Sequence, residues 1–430
     1  MKYYSTNNRN LLAGFREAVI DGLPKDNGLY FPEHIPTLPP SFFNRIGELS
    51  LPEIALEVLA PFTSPDIDRA DLSEILTDTL DFDIPLVKIR ENTWSLELYH
   101  GPTRAFKDVG ARFLARCLGY FSVSEKRKVT VLVATSGDTG SAVGQGFYGV
   151  PNVEVVILYP SGKVSPLQEK QLTTLGGNIT ALEIDGVFDD CQRMVKSAFL
   201  DRELKNNLLL TSANSINIAR WLPQSVYYFW AYSKLPGNCK PIFSVPSGNY
   251  GNLTAGLLAR AMGLNIRQFL AASNANKVIP DYLLTGRFNP APSIATLSNA
   301  MDVGNPSNFP RMLEIYKKEF EPLTRDIRGF SFSDDQTIEA VRRVKENDNY
   351  LLDPHGAIGL LALESYRLSA GECGVFLETA HPAKFDVTME HILNEPIEIP
   401  SDLKQRLNMD KKAIQMGSDE DKFKKWLLSR

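Results

Sequence analysis

The sequence predicts an α/β protein built on two mostly parallel open sheets, and three observations carry that expectation. Short β-branched runs alternate with longer amphipathic stretches from Val129 onward: VTVLVAT, VEVVILY, NLLLT, PIFSV, RQFLAA and GVFLET. Runs this continuously apolar belong to strands covered by helices on both faces, the usual state of a parallel sheet. Two of these runs lead directly into turns rich in Gly and Ser, where ligands of open α/β sheets bind. Finally, 430 residues with 43% hydrophobic and 23% charged side chains supply core for about two or three domains and exclude a disordered or fibrous chain.

Residues 1–98 are rich in Pro and in broken helical patterns, with YFPEHIPTLPPSF at 30–42 reading as extended and turn segments, so they form an N-terminal accessory segment. A first αβ domain is expected over 99–236. PGNCKP at 236–241 marks a seam, because Pro and Gly cluster there before a new strand, and a second αβ domain follows over 237–400. The charged tail, 401–430, is expected to be helical and solvated, with no catalytic role. A net charge of -5, from 46 basic and 51 acidic residues, offers no general attraction for nucleic acid or an anionic membrane. No apolar run approaches the roughly 20 residues of a membrane span, and the N-terminus has no apolar core of a secretory signal. The four cysteines form no CxxC pair, which suggests a reduced, cytoplasmic compartment. None of the five histidines sits in a metal-binding HExxH pattern, no metal is expected, and the GxSxG elbow of a serine hydrolase is absent.

Chemistry concentrates in three places. TSGDTGSAVG at 135–144 follows a strand and opens a helix; Thr135, Ser136 and Thr139 offer hydroxyls beside unpaired helix-start amides, which suits either an anion or an ordinary helix cap. VPSGNYGNLTAG at 245–256 has the same setting. Gly248 and Gly251 let the backbone approach an anion, so the amides from Gly248 through Asn249, Tyr250, Gly251 and Asn252 can wrap one phosphate, unless they too only cap a helix. The turn is neither GxxxxGK(S/T) nor GxGxxG, which disfavours a nucleotide. The third place is HGPTRAFKDVGARFLARCLGYF at 100–121, where helical spacing puts Lys107 at a helix entrance, just after Phe106. Most lysines are solvated surface charges. A lysine in a partly apolar helix N-terminus loses some preference for its charged form and becomes available for a Schiff base. A Schiff-base lysine plus a cradle for one phosphate implies pyridoxal 5'-phosphate (PLP). Thr379, ending the run GVFLET, can offer a hydroxyl to the pyridine nitrogen, which favours elimination and replacement over amino transfer.

HGPTRAFKD, TSGDTG, GKVSPLQEKQL, SANSINIAR, VPSGNYGN, TLSNAMDVGNPSN and ETAHPAKF occur in an order that resembles the threonine synthase family, of the PLP-dependent fold-type II group that also holds tryptophan synthase β and cysteine synthase. The resemblance runs from GLYFP at 28–32 to ETAHP and is to the longer, bacterial and fungal type. It implies fold-type II αβ domains with the active site between them, and conversion of O-phospho-L-homoserine and water to L-threonine and phosphate. It further implies that Lys107 holds PLP and shuttles protons, that Gly248, Asn249, Tyr250, Gly251 and Asn252 bind the cofactor phosphate, and that Thr379 meets the pyridine nitrogen. Ser136, Asp138 and Thr139 would lie on a loop closing over substrate, beside Thr135; Asn214 and Arg220, with Lys163 as a further candidate, would grip the substrate phosphate. A small-molecule substrate and a monomer or homodimer are expected.

Two positions depart from the group's pattern. Related cysteine synthases carry Asn where this chain has Asp138, and a carboxylate cannot donate a hydrogen bond. Arg104 stands where relatives often have an apolar residue, and either lowers the basicity of Lys107 or faces solvent. Competing readings are PLP-dependent β-replacement or hydroxy-amino-acid deamination, which the anion-binding Asn214, Arg220 and Lys163 disfavour, and a non-catalytic homologue, which the intact Lys107 disfavours.

Overall fold

The computed structural model describes residues 1–123, 127–135, 137–237 and 239–430, and the chain forms two compact units. The larger holds residues 1, 31–106 and 221–398; the smaller holds 2–30, 107–220 and 399–430. Both are discontinuous, whereas the sequence reading divides the chain at 98, 236 and 400.

The larger unit is organised around a six-stranded sheet whose spatial order is Ile327–Ser331, Gln268–Ser273, Lys240–Pro246, Glu372–Glu378, Thr93–Glu97 and Leu86–Arg90. All neighbours run parallel except Leu86–Arg90, which joins Thr93–Glu97 as an antiparallel edge hairpin. Every residue of Glu372–Glu378 and Gln268–Ser273 is buried, so these strands are apolar on both faces and show no alternation. Helices Asp334–Asp348 and Pro354–Tyr366 begin where the sequence supplies caps. Ser333 and Gln336 form a reciprocal capping box, and Asp353 accepts from His355 N at 2.7 Å ahead of Pro354 at the first helical position. Cys239 and Cys373, 134 residues apart, are brought side by side with Cα atoms 5.9 Å apart. The sequence reading had no cysteine pairing, since only the parallel register of Lys240–Pro246 with Glu372–Glu378 brings the two together.

In the smaller unit five strands, all parallel, lie in the order Ala413–Gly417, Ile179–Asp185, Val153–Pro160, Val129–Ala134 and Leu209–Ser212. Helix Lys107–Ser122 opens at the expected lysine, and Phe15 of the N-terminal helix Phe15–Asp21 packs edge-on against its Phe121. The tail corrects the expectation of a solvated helix. It forms helix Ser401–Leu407, the edge strand Ala413–Gly417 and helix Glu420–Leu428, whose Phe423 and Leu427 enter the core beside Cys191 and Met194. One apolar pair at i, i+4 anchors a helix charged at Glu420, Asp421, Lys422, Lys424 and Lys425, and a short, half-exposed strand after Lys411 and Lys412 suits a sheet edge. Among the described residues, no helix is long and apolar enough to cross a membrane and no group of three or more His, Cys, Asp or Glu is placed to hold a metal ion.

Because Phe423 is fully buried, Phe423→Ala should destabilise the protein by about 3–5 kcal/mol, read as a lower midpoint in urea unfolding. An unchanged midpoint would mean that the tail does not pack. A second expectation concerns acid. Against the desolvation of partial burial, hydrogen bonds from Arg343 and Arg90 hold Glu364 below the usual carboxylate range, and the bond from Arg90 lowers Asp348. Carboxyls depressed in the folded state stabilise it above their unfolded pKa, and that contribution is lost as pH falls through and below about pH 4. Urea midpoints at pH 7 and at a pH below about 4 should therefore diverge, and Arg90→Met should narrow the gap.

Candidate active site

The smaller unit carries the lysine. Lys107 begins its helix, and its Nζ lies 3.9 Å from Asp138 Oδ2 in an ion pair with little solvent access. Asp138 in turn begins helix Asp138–Phe147, and its Oδ1 accepts from Gln168 Nε2 at 3.0 Å. Gln168 belongs to the motif GKVSPLQEKQL, to which the sequence reading gave no role beyond Lys163. Ser165 caps its helix, Pro166–Thr173, and thereby aims Gln168 at the loop. The side chain of Gln168 fills the space a Cβ on Gly137 would need, 2.6 Å from that position, and Gly137 has φ 140°. A close approach and a left-handed backbone thus both require glycine there.

Thr135 Oγ1 accepts from the amides of Gly137 at 2.9 Å and Gly140 at 2.8 Å, so this side chain shapes the turn as a cap does. Thr139 is half-buried on the same turn; Ser136 lies outside the described residues. Asn214 and Arg220 are joined by a short turn in which Arg220 Nη1 donates to Ala213 O at 2.7 Å. Arg220 is nearly buried, and Gly110, one turn along the helix of Lys107, leaves room for it: a Cβ there would meet Arg220 O at 2.9 Å. Asn214 Oδ1 is buried with no protein partner among the described residues. Lys163 is exposed on the turn after Val153–Pro160. These loops follow the carboxyl ends of three adjacent parallel strands, where such sheets bind ligands.

The larger unit carries the glycine turn. After strand Lys240–Pro246, residues 247–250 turn into helix Gly251–Ala261, with Tyr250 left-handed at φ 59°. The side chains look inward. Asn252 Nδ2 donates to Pro246 O at 2.7 Å while its Oδ1 accepts from Ser247 Oγ at 2.9 Å, and the Tyr250 hydroxyl, whose pKa burial raises, meets Ser273 Oγ at 2.6 Å. The main chain is left for a ligand. Among the described residues the amides of Gly248, Asn249 and Tyr250 have no protein acceptor, and those of Gly251 and Asn252 are in the first helical turn. A Cβ on Gly248 would lie 2.8 Å from Met301 Cα, so the segment TLSNAMDVGNPSN packs against the turn with no room for a side chain. That segment is braced by Asn274, whose Nδ2 donates to Thr296 Oγ1 at 2.8 Å and Asp302 Oδ1 at 2.9 Å. A row of open amides on a rigid turn, with its charge-bearing end at a helix N-terminus, fits one phosphate group.

Thr379 follows the adjacent strand, Glu372–Glu378. Its hydroxyl has no protein partner among the described residues, and its carbonyl accepts from Phe106 N at 2.8 Å. Phe106 O accepts from the Tyr227 hydroxyl at 2.6 Å. Lys107 is the next residue, so chain connectivity holds its Cα about 3.8 Å from that of the doubly anchored Phe106. Tyr227 and Gln168, both supports for the site, are invisible to spacing rules because their partners lie over a hundred and about thirty residues away respectively. His100 pairs with Glu97 at 2.7 Å, and His381 stacks edge-on against Tyr99.

Comparison with known proteins meets this geometry from a different side. The family model "Pyridoxal-phosphate dependent enzyme" matches residues 83–377, "Threonine synthase N terminus" matches 2–80 and "Threonine synthase, C-terminal" matches 356–427. The chain is 44% identical to the threonine synthase of Haemophilus influenzae over 430 residues, covering 100% of both chains. The chain belongs to the threonine synthase family. It is also similar to the crystal structure of the Escherichia coli threonine synthase, at 42% identity, TM-score 0.93 and 100% coverage of both chains. A PLP-bound threonine synthase from Brucella melitensis matches at 34% identity and TM-score 0.94, over 99% of this chain and 98% of that one. The fold is thus the α/β fold of PLP-dependent threonine synthases.

The Gly248 contact can be tested directly. Gly248→Ala should weaken cofactor binding by at least about tenfold, equivalent to ~1.4 kcal/mol, because the new methyl meets main chain that cannot rotate away. Titration of the cofactor-free protein with PLP measures it; unchanged affinity would remove the phosphate from this turn.

Proposed function

We infer that this chain converts O-phospho-L-homoserine and water to L-threonine and inorganic phosphate with PLP as cofactor. The observation that carries the reading is similarity to threonine synthases along the entire chain, with the helix-entry lysine and the open-amide turn both intact. When bound, the cofactor supplies an electron sink for negative charge developed at the substrate Cα. Lys107 would hold the cofactor by its amine, and the same amine would carry protons to and from the substrate carbons. The amides of Gly248, Asn249, Tyr250, Gly251 and Asn252 would hold the cofactor phosphate, and the Thr379 hydroxyl would serve the pyridine nitrogen.

Asp138 keeps the Lys107 amine in place before cofactor arrives, as the 3.9 Å pair supports. Arg220 and Asn214, with Lys163 reaching in from its turn, bind the substrate phosphate; the planar guanidinium suits a dianion because it engages two oxygens at once. Thr135, Ser136, Asp138 and Thr139 form the loop over the amino-acid end of the substrate and exclude water until phosphate has left. The carbon–oxygen bond at Cγ breaks and phosphate leaves with the bonding electrons; the proton given up by Cβ ends on Cγ to complete the methyl group, and water adds its hydroxyl to Cβ and its remaining proton to phosphate. The same reading keeps the enzyme in the cytoplasm as a monomer or homodimer acting on a small molecule, away from nucleic acid and membranes.

Purified protein should show the visible absorbance of lysine-bound cofactor and release phosphate from O-phosphohomoserine faster than it releases ammonia from serine or threonine; the opposite order would overturn the assignment. Lys107→Ala should abolish that absorbance and lower turnover about a thousandfold or more. Arg220→Lys should raise KM for phosphohomoserine about tenfold and leave the spectrum unchanged. A shifted spectrum with unchanged KM would move Arg220 from the substrate to the cofactor.

A further inference from the structure

Behind the glycine turn lies a cation to which none of the roles above assigns a task. Arg311, in helix Phe309–Ile315 of the larger unit, is 0% exposed, and burial lowers its pKa to about 9. A buried guanidinium carries a desolvation cost that an apolar side chain of similar volume would avoid. Its surroundings show what it holds.

Arg311 Nη1 donates to Asn308 Oδ1 at 2.9 Å, and Asn308 N donates to Asn249 O at 3.2 Å. On its other side the guanidinium lies over the indole of Trp221, with Cζ 4.6 Å from the ring centroid. Trp221 Nε1 donates to Thr254 Oγ1 at 2.9 Å, and Thr254 Oγ1 donates to Tyr250 O at 2.8 Å. Asn249 and Tyr250 are consecutive, so the two paths meet and close a ring: Arg311, Asn308, Asn249, Tyr250, Thr254, Trp221. All these residues are buried except Asn249, which is exposed. The ring therefore reaches solvent only at the turn whose amides are open. Ser307 reinforces the same point, its N and Oγ both donating to Asn249 Oδ1.

We propose that Arg311 is a positioning residue for the cofactor-phosphate turn, fixing Asn249 and Tyr250 through Asn308 on one side and Trp221 on the other, and setting a positive charge behind a site suited to a dianion. The proposal rests on the PLP assignment above and adds to it a residue that does not touch the cofactor. Main-chain amides bind an anion well only if they are held in place beforehand, since ordering a loop at the moment of binding costs affinity. The guanidinium fork lets one side chain bond an amide oxygen while stacking on an indole, which neither Lys nor Met can do.

A residue that serves the phosphate must discriminate PLP from pyridoxal, which has the same aldehyde and ring without the phosphate. Cofactor-free wild-type protein, Arg311→Met and Arg311→Lys would each be titrated with PLP and with pyridoxal, following visible absorbance and tryptophan fluorescence. In Arg311→Met the ratio of the two affinities should fall about tenfold, or ~1.4 kcal/mol, with pyridoxal binding little changed. Arg311→Lys, which keeps a charge and the helix, should show a smaller fall of about threefold. A merely structural Arg311 would weaken both ligands in proportion, and an unchanged ratio in either folded variant overturns the proposal. Failure of the parent reading looks different: wild-type protein would then develop no visible absorbance with PLP at all. Should Arg311→Met give no cooperative thermal transition, the Lys variant alone decides.

Discussion

Both main-chain groups of Phe106, the residue before the lysine proposed to hold the cofactor, are held by hydrogen bonds, its N–H to Thr379 O and its carbonyl to the Tyr227 hydroxyl. An amine at the end of a flexible side chain can be aimed only if its backbone is fixed, and the neighbouring contacts extend this fixation. Ala105 bridges to Ala380, His381 N donates to Arg104 O at 3.0 Å, and the fully buried Lys384 Nζ donates to Thr103 O at 2.8 Å. A buried ammonium is tolerable only when hydrogen-bonded, so Lys384 is committed to this junction. The motifs HGPTRAFKD and ETAHPAKF, far apart in sequence, meet in a single junction. Arg104 takes part through its backbone: φ is 58°, and its N–H turns back to Gly101 O. A left-handed non-glycine residue three before the lysine is strain placed where the chain must change direction.

The two glycine turns differ in a way that residue types alone do not reveal. Hydroxyls and amides in such turns look like ligand groups, yet Thr135, Asn252 and Tyr250 use their side chains within the protein. Thr135 takes up the amides of Gly137 and Gly140 itself, whereas Asn252 and Tyr250 brace a turn whose backbone N–H groups at 248–250 stay open. An anion held by main-chain dipoles meets donors that cannot titrate and need little reorganisation, which is an advantage for a cofactor that must stay bound through many turnovers. Substrate phosphate has the opposite requirement, since it must leave, and the groups proposed for it are side chains on short loops: Asn214, Arg220 and Lys163.

How much of this was legible depends on whether the signal is local. The six apolar runs all became strands, because a strand buried on both faces reads as a short continuous apolar run rather than an alternating one. Helix Lys107–Ser122 and both turns were legible too, as caps and glycines act within a few residues. The edge strands Leu86–Arg90, Ile327–Ser331 and Ala413–Gly417 were not, since edge positions leave polar residues exposed and blur the pattern; Thr93–Glu97 and Ile179–Asp185 lie inside their sheets and were missed because Thr, Ser and Glu interrupt their apolar residues. Unit composition was equally hidden: residues 2–30 and 399–430 join the 107–220 segment through pairing and packing that no linker composition announces. Site supports such as Gln168, Tyr227, Lys384 and Arg311 act across tens to hundreds of positions, and Gln, Tyr, Lys and Arg are common residues with no distinctive spacing.

The end of strand Glu372–Glu378 shows how the fold controls charge near the residue proposed for the pyridine nitrogen. Glu378 is completely buried, and burial first, then the adjacent Asp353 carboxylate, raises its pKa well above the ordinary carboxylate range. Asp353 N donates to its Oε1 at 3.1 Å, and a Cβ on Gly356 would lie 1.9 Å from its Oε2, so the carboxyl is enclosed with no space for hydration. Asp353, despite the desolvation it shares, is held in the opposite direction by His355, whose Nδ1 lies 2.5 Å away. Two buried carboxyls side by side thus divide one charge, as like charges at short range must. The charge settles on Asp353, the member with the imidazole, and Glu378 takes the proton. Thr379 therefore follows a neutral acid in the chain. With Thr379 at the pyridine nitrogen as proposed, a carboxylate there would pull a proton onto the ring and strengthen the electron sink; a neutral neighbour and a neutral hydroxyl would keep it weak, which suits elimination and water addition over amino transfer.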